Sequence, residues 1–439
     1  MSSTSRRLGL LQTISLVTGN LVGSGVFLLP ASLALVGTLS LVGWVLTGCG
    51  ALLLATVFAS LSQTTQNNGG PHNYVGHAFG KEGAYWVAWG YWVLSWISNT
   101  ALVVAAVSYL SPLLGGLSQP MVLLTQILIW GFITFVNIMG VQFAGRFELL
   151  MTTLKLIPLV AIPAIGLFSV DFQQLLPIVP QGVDGLEGIK TAMFLTLWAF
   201  VGLETATVTS GEVKNPKRTI PLATMIGTLI ALFVYVLGSV VMLGVLGAQA
   251  LSNSKAPYAD LAGHLLGGDW GPLIAIAAVI CCLGSFNGWT MVVSRISQGA
   301  ATEGLFPSLF AKVDRRGTPI NGLIISALCT LPLLFLSLQE NLLSQFNAII
   351  DISITLILMI YLFCILAYFK LKVGISNRLS AWIGIGALLF VLFALWAAGF
   401  KMVVLSLSLL VLGLPMRFYM RKQFAQDIKA HTPHLVSQA

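Results

Sequence analysis

A succession of long apolar runs, joined by short polar links, constrains this chain more than any other feature. Each run has the roughly 20 apolar residues that a helix needs to cross the hydrocarbon core of a bilayer. Charged residues make up only 8% of the 439 residues, whereas soluble domains have about 25%. A protein of this composition must have lipid as the solvent for most of its surface.

The same runs decide between the two kinds of structure that can span a membrane. Backbone facing lipid must satisfy its own hydrogen bonds, so only helices and closed β-barrels can cross. The runs are continuous and do not alternate with period two, which excludes the barrel. The sequence therefore predicts an all-α polytopic membrane protein with twelve helices. The predicted spans are residues 9–36, 38–62, 83–112, 119–140, 147–170, 190–211, 222–247, 271–300, 319–338, 344–369, 380–399 and 401–420.

The basic residues predict how these spans are oriented. If the N-terminus is cytoplasmic, 18 of the 22 lysine and arginine residues lie on the cytoplasmic side. Lys190, Lys255 and Lys401 lie on the other side, and Lys155 lies within a span. Positive residues are retained in the cytoplasm, so both termini are predicted to be cytoplasmic. The net charge of +8 is thereby explained by topology, and no nucleic-acid partner is expected.

Two predicted spans are interrupted near the middle of the membrane. Span 1 contains Gly19-Asn20 and Gly23-Ser24-Gly25 inside an apolar run, and a glycine costs about 1 kcal/mol relative to alanine in a helix. Span 6 contains Gly202 and the carboxylate of Glu204 at a similar depth. The two spans are five apart, as in two repeats of inverted topology. Paired interruptions of this kind indicate the binding site of a transporter.

An interrupted helix leaves backbone groups available to a ligand. Free N–H groups at Val22 to Gly25 are expected to receive a carboxylate, assisted by the dipole of the following half-helix. Free carbonyl groups near Ala199 to Gly202 are expected to receive an ammonium group. An α-amino acid carries both charges on adjacent atoms, so the predicted substrate is an amino acid. The alternative is that the glycines serve only close helix packing.

Three ionisable side chains, Lys155, Glu204 and Asp351, lie within predicted spans. A lysine or aspartate there costs about 2.5–3.5 kcal/mol, so each is a functional hypothesis. Their formal charges sum to −1, which a cationic substrate would balance. A proton carried by Glu204 or Asp351 is equally consistent with these charges. The alternative for Lys155 is a structural contact with a carboxylate or with helix carbonyl groups. All histidines lie in loops or in the tail, so neither an enzyme nor a cofactor is predicted.

Aromatic side chains are further candidates, because their faces can enclose a substrate stem and hold a cation. Trp198 is favoured, since it lies on the interrupted span 6 itself. Tyr91 on span 3 and Trp289 on span 8 are also candidates, although tryptophan and tyrosine often serve as anchors at membrane interfaces.

The motifs at these positions make the chain similar to the amino acid–polyamine–organocation transporters. It most resembles their bacterial basic amino acid/polyamine antiporter branch, which exchanges arginine for agmatine, lysine for cadaverine or ornithine for putrescine. The resemblance covers nearly the whole chain. Its motifs are Gly19-Asn20 with Gly23-Ser24-Gly25 and Phe27-Leu28-Leu29-Pro30, Trp198-Ala199-Phe200-Val201-Gly202-Leu203-Glu204, Val213-Lys214-Asn215-Pro216-Lys217-Arg218 with Pro221, Gly284-Ser285 with Gly288-Trp289, and Glu303-Gly304-Leu305-Phe306-Pro307.

The resemblance implies a five-plus-five inverted repeat with two additional helices. The first repeat would be residues 1–170, the second residues 171–372, and the additional helices and cytoplasmic tail residues 373–439. It also implies alternating access in a bacterial inner membrane, with an amino acid and the lipid bilayer as partners. A homodimer is left open.

The resemblance also implies roles for individual residues. The substrate carboxylate would bind at Gly23-Ser24-Gly25 and the α-amino group at carbonyls around Trp198 to Val201. Trp198 would stack on the substrate side chain, and Trp289 would form a gate below it. The predicted substrate-binding residues are Asn20, Gly23, Ser24, Gly25, Tyr91, Asn99, Trp198, Val201, Glu204, Trp289 and Asp351, and the predicted coupling residues are Lys155 and Glu204.

Three departures from the arginine/agmatine exchangers bear on the substrate. Lys155 replaces an apolar residue and resembles proton-dependent, sodium-independent permeases, in which the ammonium group takes the place of a sodium ion. Asp351 replaces serine or asparagine and adds attraction for a cation, while Leu94 and Leu102 replace small residues and narrow the pocket. We therefore predict a secondary active antiporter favouring cationic amino acids or their amines. The alternative is a proton-linked permease or exporter of neutral amino acids.

Overall fold

The computed structural model describes residues 7–65, 68–180, 182–336, 342–375 and 377–431. Within these ranges the chain is built of helices and their links, and the described residues include no strand beyond one parallel bridge between Leu8 and Val213. The predicted all-α architecture is thus confirmed. The α-helices of the described residues are α1 (Leu10–Leu21), α2 (Gly25–Ala34), α3 (Leu39–Leu61), α4 (Pro71–Leu113), α5 (Gln119–Ile138), α6 (Val141–Gly166), α7 (Gly185–Leu197), α8 (Thr205–Val208), α9 (Pro216–Leu246), α10 (Ala248–Ser252), α11 (Pro257–Leu266), α12 (Gly271–Thr302), α13 (Ile320–Leu336), α14 (Leu342–Lys370), α15 (Arg378–Ala398), α16 (Phe400–Val411) and α17 (Leu414–His431).

Ten helical segments of the described ranges are long and apolar enough to cross a membrane. One of them, residues 185–208, includes the interrupted region that joins α7 to α8. The apolar part of α13 is shorter, at residues 320–335, and α1 and α2 are 12 and 10 residues long. Helices are therefore present at each predicted span.

Several helices begin before the predicted apolar spans. α4 begins at Pro71 and is broken by Gly80, whose φ of 79° and ψ of −175° are not helical. α6 begins at Val141, and α7 begins at Gly185 behind Asp184, whose carboxylate accepts a hydrogen bond from a first-turn amide. Helical hydrogen bonds do not depend on apolar side chains, so a helix continues past the end of its apolar run.

Both predicted interruptions are present. α1 ends at Leu21 and α2 starts at Gly25, with Val22 between them at φ −85° and ψ 81°. α7 ends at Leu197 and is followed by a 3₁₀ turn and then by Gly202 at φ 112°. That φ lies in the region that glycine adopts at little cost, so Gly202 allows the chain to leave the helix there.

The interrupted helices lie inside a ring of other helices. α1 packs on α6, α9 and α12, and α7 packs on α3, while α4 packs along both α12 and α14. α15 and α16 form part of the periphery, where Trp382 and Phe400 are exposed. The two interruptions are thus enclosed by protein, where irregular backbone is tolerated in a membrane.

Candidate functional site

A cavity of about 520 Å³ lies against both interrupted helices. Gly25, Trp198 and Asp351 of α14 are among the residues that line it. Lys255, an exposed residue in the link between α10 and α11, lies at its mouth. The structure thus places three of the predicted site residues, from three separate parts of the chain, around one space.

The two interruptions touch each other at Gly25. A Cβ atom on Gly25 would lie 2.9 Å from Cδ1 of Trp198, so the indole ring occupies the space that a side chain would need. Gly23 is similarly crowded, since its Cβ would lie 3.2 Å from Ser285 Oγ and 3.8 Å from Leu102 Cδ2. The missing side chains therefore allow Trp198, Ser285 and Leu102 to approach the backbone of the first interruption.

The first interruption offers fewer donors than the sequence indicated. The prediction of free amides is wrong for Val22 and Gly23, which donate to the carbonyl groups of Thr18 at 2.8 Å and Leu21 at 3.1 Å. The first bond continues the last turn of α1, and the second closes a three-residue turn. Among the described residues, the amides of Ser24 and Gly25 and the Ser24 hydroxyl group have no hydrogen-bond partner. They stand at the positive end of the α2 dipole, where an anion is stabilised.

The second interruption offers acceptors. The carbonyl of Gly202 is already used, because the amide and the hydroxyl group of Thr205 donate to it at 3.1 and 2.7 Å. The prediction of a free carbonyl is therefore wrong at Gly202. Within the described ranges the carbonyl groups of Ala199, Phe200 and Val201 accept no hydrogen bond. These three unpaired carbonyl groups lie in a buried segment and are available as hydrogen-bond acceptors.

Lys155 joins α6 to the first interruption. Its fully buried ammonium group donates to the carbonyl of Gly19 at 2.8 Å and lies 3.4 Å from the hydroxyl oxygen of Ser285 on α12. Ser285 also donates to the Gly19 carbonyl, at 2.6 Å. One turn before it, the thiol of Cys281 lies 3.2 Å from the carbonyl of Val22. Side chains of α6 and α12 thus hold α1 through its backbone.

Glu148 is an ionisable site that sequence reasoning missed, because the predicted span began at residue 147 and placed Glu148 at its edge. The helix begins at Val141, so Glu148 lies two turns inside it and is fully buried. Its carboxylate accepts hydrogen bonds from Asn287 at 2.7 Å and from Thr152 at 3.3 Å. A Cβ atom on Gly19 would lie 2.0 Å from its Oε1. Glu148 therefore packs directly against the interrupted helix.

Glu204 does not line the cavity. Its carboxylate is fully buried and accepts hydrogen bonds from the hydroxyl groups of Tyr91 on α4 and Tyr361 on α14. The structure thus brings Tyr91 and Glu204 together, but around each other and away from the space beside Trp198.

Asn20 and Trp289 both pack against the second interruption at Gly202. A Cβ atom on Gly202 would lie 3.1 Å from the Trp289 ring and 3.2 Å from Cβ of Asn20. Asn99 lies apart from them, in a small cleft beside α5, α12 and α13. Within the described part of the chain, the Asn20 amide group and the Asn99 side-chain oxygen have no hydrogen-bond partner.

An ion pair and backbone contacts close the side of the site opposite Lys255. Arg295, near the end of α12, is buried and lies 3.1 Å from a carboxylate oxygen of Glu212, and it donates to the carbonyl of Gly317 at 2.9 Å. Leu8 pairs with the backbone of the same segment, at 2.7 Å from Glu212 and 2.9 Å from Lys214. The cavity therefore faces the membrane side that the charge pattern predicts to be external.

A second set of contacts reinforces this closure. Asn68 accepts a hydrogen bond from the Gly211 amide at 2.8 Å, and buried His72 lies 3.6 Å from Glu303. Burial raises the pKa of the Glu303 carboxyl above its ordinary value, and the charge of Lys81 opposes that shift.

Two interrupted helices against one cavity, with unpaired amides on one and unpaired carbonyls on the other, are typical of a secondary transporter. Residues 8–416 match the profile of the amino acid permease family. The chain belongs to that family, within the amino acid–polyamine–organocation superfamily, and the resemblance seen in its motifs is confirmed.

Characterised relatives with extensive similarity are transporters. The cadaverine/lysine antiporter of Escherichia coli strain K12 is 33% identical over 452 aligned positions, which cover 100% of both chains. The putrescine transporter PotE of Haemophilus influenzae is 30% identical over 91% of this chain and 93% of its own. The putrescine transporter PotE of E. coli K12 is 28% identical over 80% of each chain.

Proposed function

We propose that this chain is an inner-membrane antiporter that exchanges a cationic amino acid for another cationic amino acid or an amine. One observation carries the proposal: Trp198 and Asp351 line a single cavity that reaches the start of α2. The amides of Ser24 and Gly25 would bind the substrate carboxylate, and the carbonyls of residues 199–201 would bind the α-amino group. Trp198 would cover the substrate stem, and Asp351 would pair with the distal cation.

The distribution of charge supports a cationic substrate. Lys155 and Glu204 have partners in the protein, which leaves Asp351 as the carboxylate that lines the cavity. Lys255 also lines it, but at the exposed mouth, where water screens its charge. The names of the cadaverine/lysine and putrescine relatives are consistent with this assignment.

Alternating access is the mechanism expected of a transporter with paired interrupted helices. We infer that α1–α3 and α7–α9 form a bundle that rocks against the remaining helices and closes the cavity on one side before it opens on the other. We propose twelve spans with cytoplasmic termini for this transporter, in repeats of residues 1–170 and 171–372 followed by residues 373–439. A homodimer is compatible with it and is not required.

A proton-linked permease or exporter of neutral amino acids is the second candidate. The contact of Lys155 with the Gly19 carbonyl favours it, because the resemblance implies that such an ammonium group replaces a coupling sodium ion. Glu204, held by two tyrosines, would then exchange a proton rather than contact the substrate. Asp351 and Lys255 would neutralise each other across the cavity.

Counterflow in proteoliposomes distinguishes the two. The liposomes are preloaded with unlabelled lysine, arginine, ornithine, cadaverine or neutral amino acids, and the matching labelled compound is added outside without an ion gradient. We expect uptake of the cationic compounds, with an affinity about tenfold lower in Asp351→Asn, because a hydrogen bond to a charged group contributes about 1.5–3 kcal/mol. Glu187→Gln, which removes an exposed carboxylate paired with Lys190, is the matched control. Uptake restricted to neutral amino acids would establish the second candidate instead.

A further inference from the structure

A second cavity, of about 470 Å³, lies on the membrane-facing side between α4, α14 and α16. It is separate from the cavity beside Trp198, and apolar side chains form nearly all of its wall. Those that shape it most are Trp86, Val87, Met359, Phe363, Leu407 and Val411.

This cavity is a groove that is open to the membrane. Phe363 and Leu407 on its edges are 45% and 47% exposed, whereas Ile360 on its floor is 3% exposed. The groove ends at Gly90, where α4 and α16 come together and a Cβ atom would lie 2.9 Å from Leu410. From residue 83 to residue 90 it follows α4 for roughly 10 Å, a length suited to part of one acyl chain.

Basic residues cluster at the other end of the groove. Each of the three helices that form it, or the segment following that helix, carries cations there. They are Lys81, Lys370, Lys372, Arg417, Arg421 and Lys422. Among the side chains that the structure describes, the acidic residues near them are Glu82 and Glu303, so the six cations exceed these two carboxylates by four.

Contacts between the helix ends show that this rim is continuous. Lys370 of α14 lies over the ring of Phe79 on α4, at 4.5 Å from its centre. On α17, Arg417 and Arg421 both bind the carboxylate of Glu82 on α4, Arg421 at 2.7 Å. Arg421 remains 55% exposed in that ion pair, so part of its guanidinium group is available to a second anion.

We propose that this groove binds an anionic phospholipid, with one acyl chain in the apolar groove and the headgroup phosphate on the basic rim. Basic pockets between membrane helices at the cytoplasmic surface suit anionic headgroups, and the charge pattern predicts this end to be cytoplasmic. A second copy of the chain is a poorer occupant, since a symmetric contact would bring the same basic residues face to face. A soluble anion would leave the apolar groove unexplained.

Photo-crosslinking of the full chain in detergent tests this proposal. The probe is a phosphatidylglycerol that carries a diazirine in its acyl chain, and the labelled peptides are mapped by mass spectrometry. We expect labelling concentrated at residues 86–87, 359–363 and 407–411. Unlabelled phosphatidylglycerol should compete well, phosphatidylethanolamine less well, and glycerol 3-phosphate not at all. Met359→Trp, which fills the groove, should reduce labelling.

Two double variants separate a specific headgroup site from the general positive charge of a cytoplasmic surface. Arg421→Gln with Lys422→Gln should raise the phosphatidylglycerol concentration needed for half-competition about 25-fold, because each cation near anionic lipid contributes a factor of about five. Lys312→Gln with Arg378→Gln removes two exposed cations from segments that do not line the groove and should change nothing. The proposal would be overturned if the two double variants had equal effects or if both lipids competed equally. It would also be overturned by labelling spread evenly over the outer helices, or by groove peptides cross-linked between two copies.

Discussion

The Gly19→Ala substitution adds one methyl group at the most crowded point of the first interruption. Its Cβ atom would lie 2.0 Å from Oε1 of Glu148 and 2.7 Å from Oγ1 of Thr152, whereas ordinary contacts are 3.4–4 Å. The carboxylate or α1 must therefore move by more than about 1 Å, a displacement that close-packed interiors do not absorb freely.

Either movement breaks a hydrogen bond to a charged group. If Glu148 moves, it loses the 2.7 Å bond from Asn287, and if α1 moves, Lys155 loses the 2.8 Å bond to the Gly19 carbonyl. Such a bond contributes about 1.5–3 kcal/mol. Alanine is favoured over glycine in a helix by about 1 kcal/mol, so we expect a net destabilisation of about 0.5–2 kcal/mol.

Equilibrium unfolding in mixed micelles of dodecyl maltoside and sodium dodecyl sulfate measures this difference. Gly131→Ala is the control, because a Cβ atom on that helical glycine of α5 would meet nothing within 4 Å. It should be about 1.5–3 kcal/mol more stable than Gly19→Ala. Glu148→Ala vacates the space that the methyl group needs, so the double variant should show a coupling energy of about 1 kcal/mol or more. Equal stabilities of the two glycine variants, or zero coupling, would refute the reasoning.

Three further predictions concern the cavity and its closure. In an equilibrium binding assay, Trp198→Leu should lower substrate affinity about tenfold, because a desolvated cation on an aromatic face contributes up to about 2 kcal/mol. Trp382→Leu, on the exposed periphery, is the control and should leave the affinity unchanged. Unaltered affinity in Trp198→Leu would exclude Trp198 from the pocket. Lys155→Ala should abolish counterflow while the protein still inserts and elutes as a monodisperse peak, and full activity would show that the lysine is dispensable. Arg295→Gln should release Glu212 and accelerate hydrogen exchange in the bridge at Leu8, measured by mass spectrometry; exchange at the original rate would show that the ion pair does not hold the closed side.

The local features of this protein were predictable from sequence, because each depends on neighbouring residues. Apolar runs predict the membrane helices, and clusters of glycine and polar residues predict both interruptions. Gly202, at φ 112°, is such a position, since a glycine adopts a positive φ at little cost whichever residues pack against it. The prediction of which amides and carbonyls are free was only partly right, because the chain forms local turns beyond the end of a helix, as it does where the Gly23 amide donates to the Leu21 carbonyl.

The partners of buried side chains were not predictable, because they come from distant parts of the chain. Glu204 receives its hydrogen bonds from residues 113 and 157 positions away. The contact of Trp198 with Gly25 is also long-range. One local signal was available for Glu148: it precedes Lys155 by seven residues, two helical turns, and therefore shares its face of α6.

The way in which α1 is held has a consequence for how this transporter tolerates mutation. Lys155, Cys281 and Ser285 contribute side chains, whereas their partners on α1 are carbonyl groups of Gly19 and Val22. Every residue type supplies a carbonyl, so the α1 side of this contact is constrained by the volume and polarity that its buried position allows, and not by the need for a hydrogen-bonding side chain. In a saturation mutagenesis screen, the α6 and α12 positions should reject most substitutions, while fully buried Val22 should accept apolar residues of similar size. Sequence variation should therefore be greater at the positions that contribute only backbone carbonyls than at Lys155, Cys281 and Ser285, which contribute side chains.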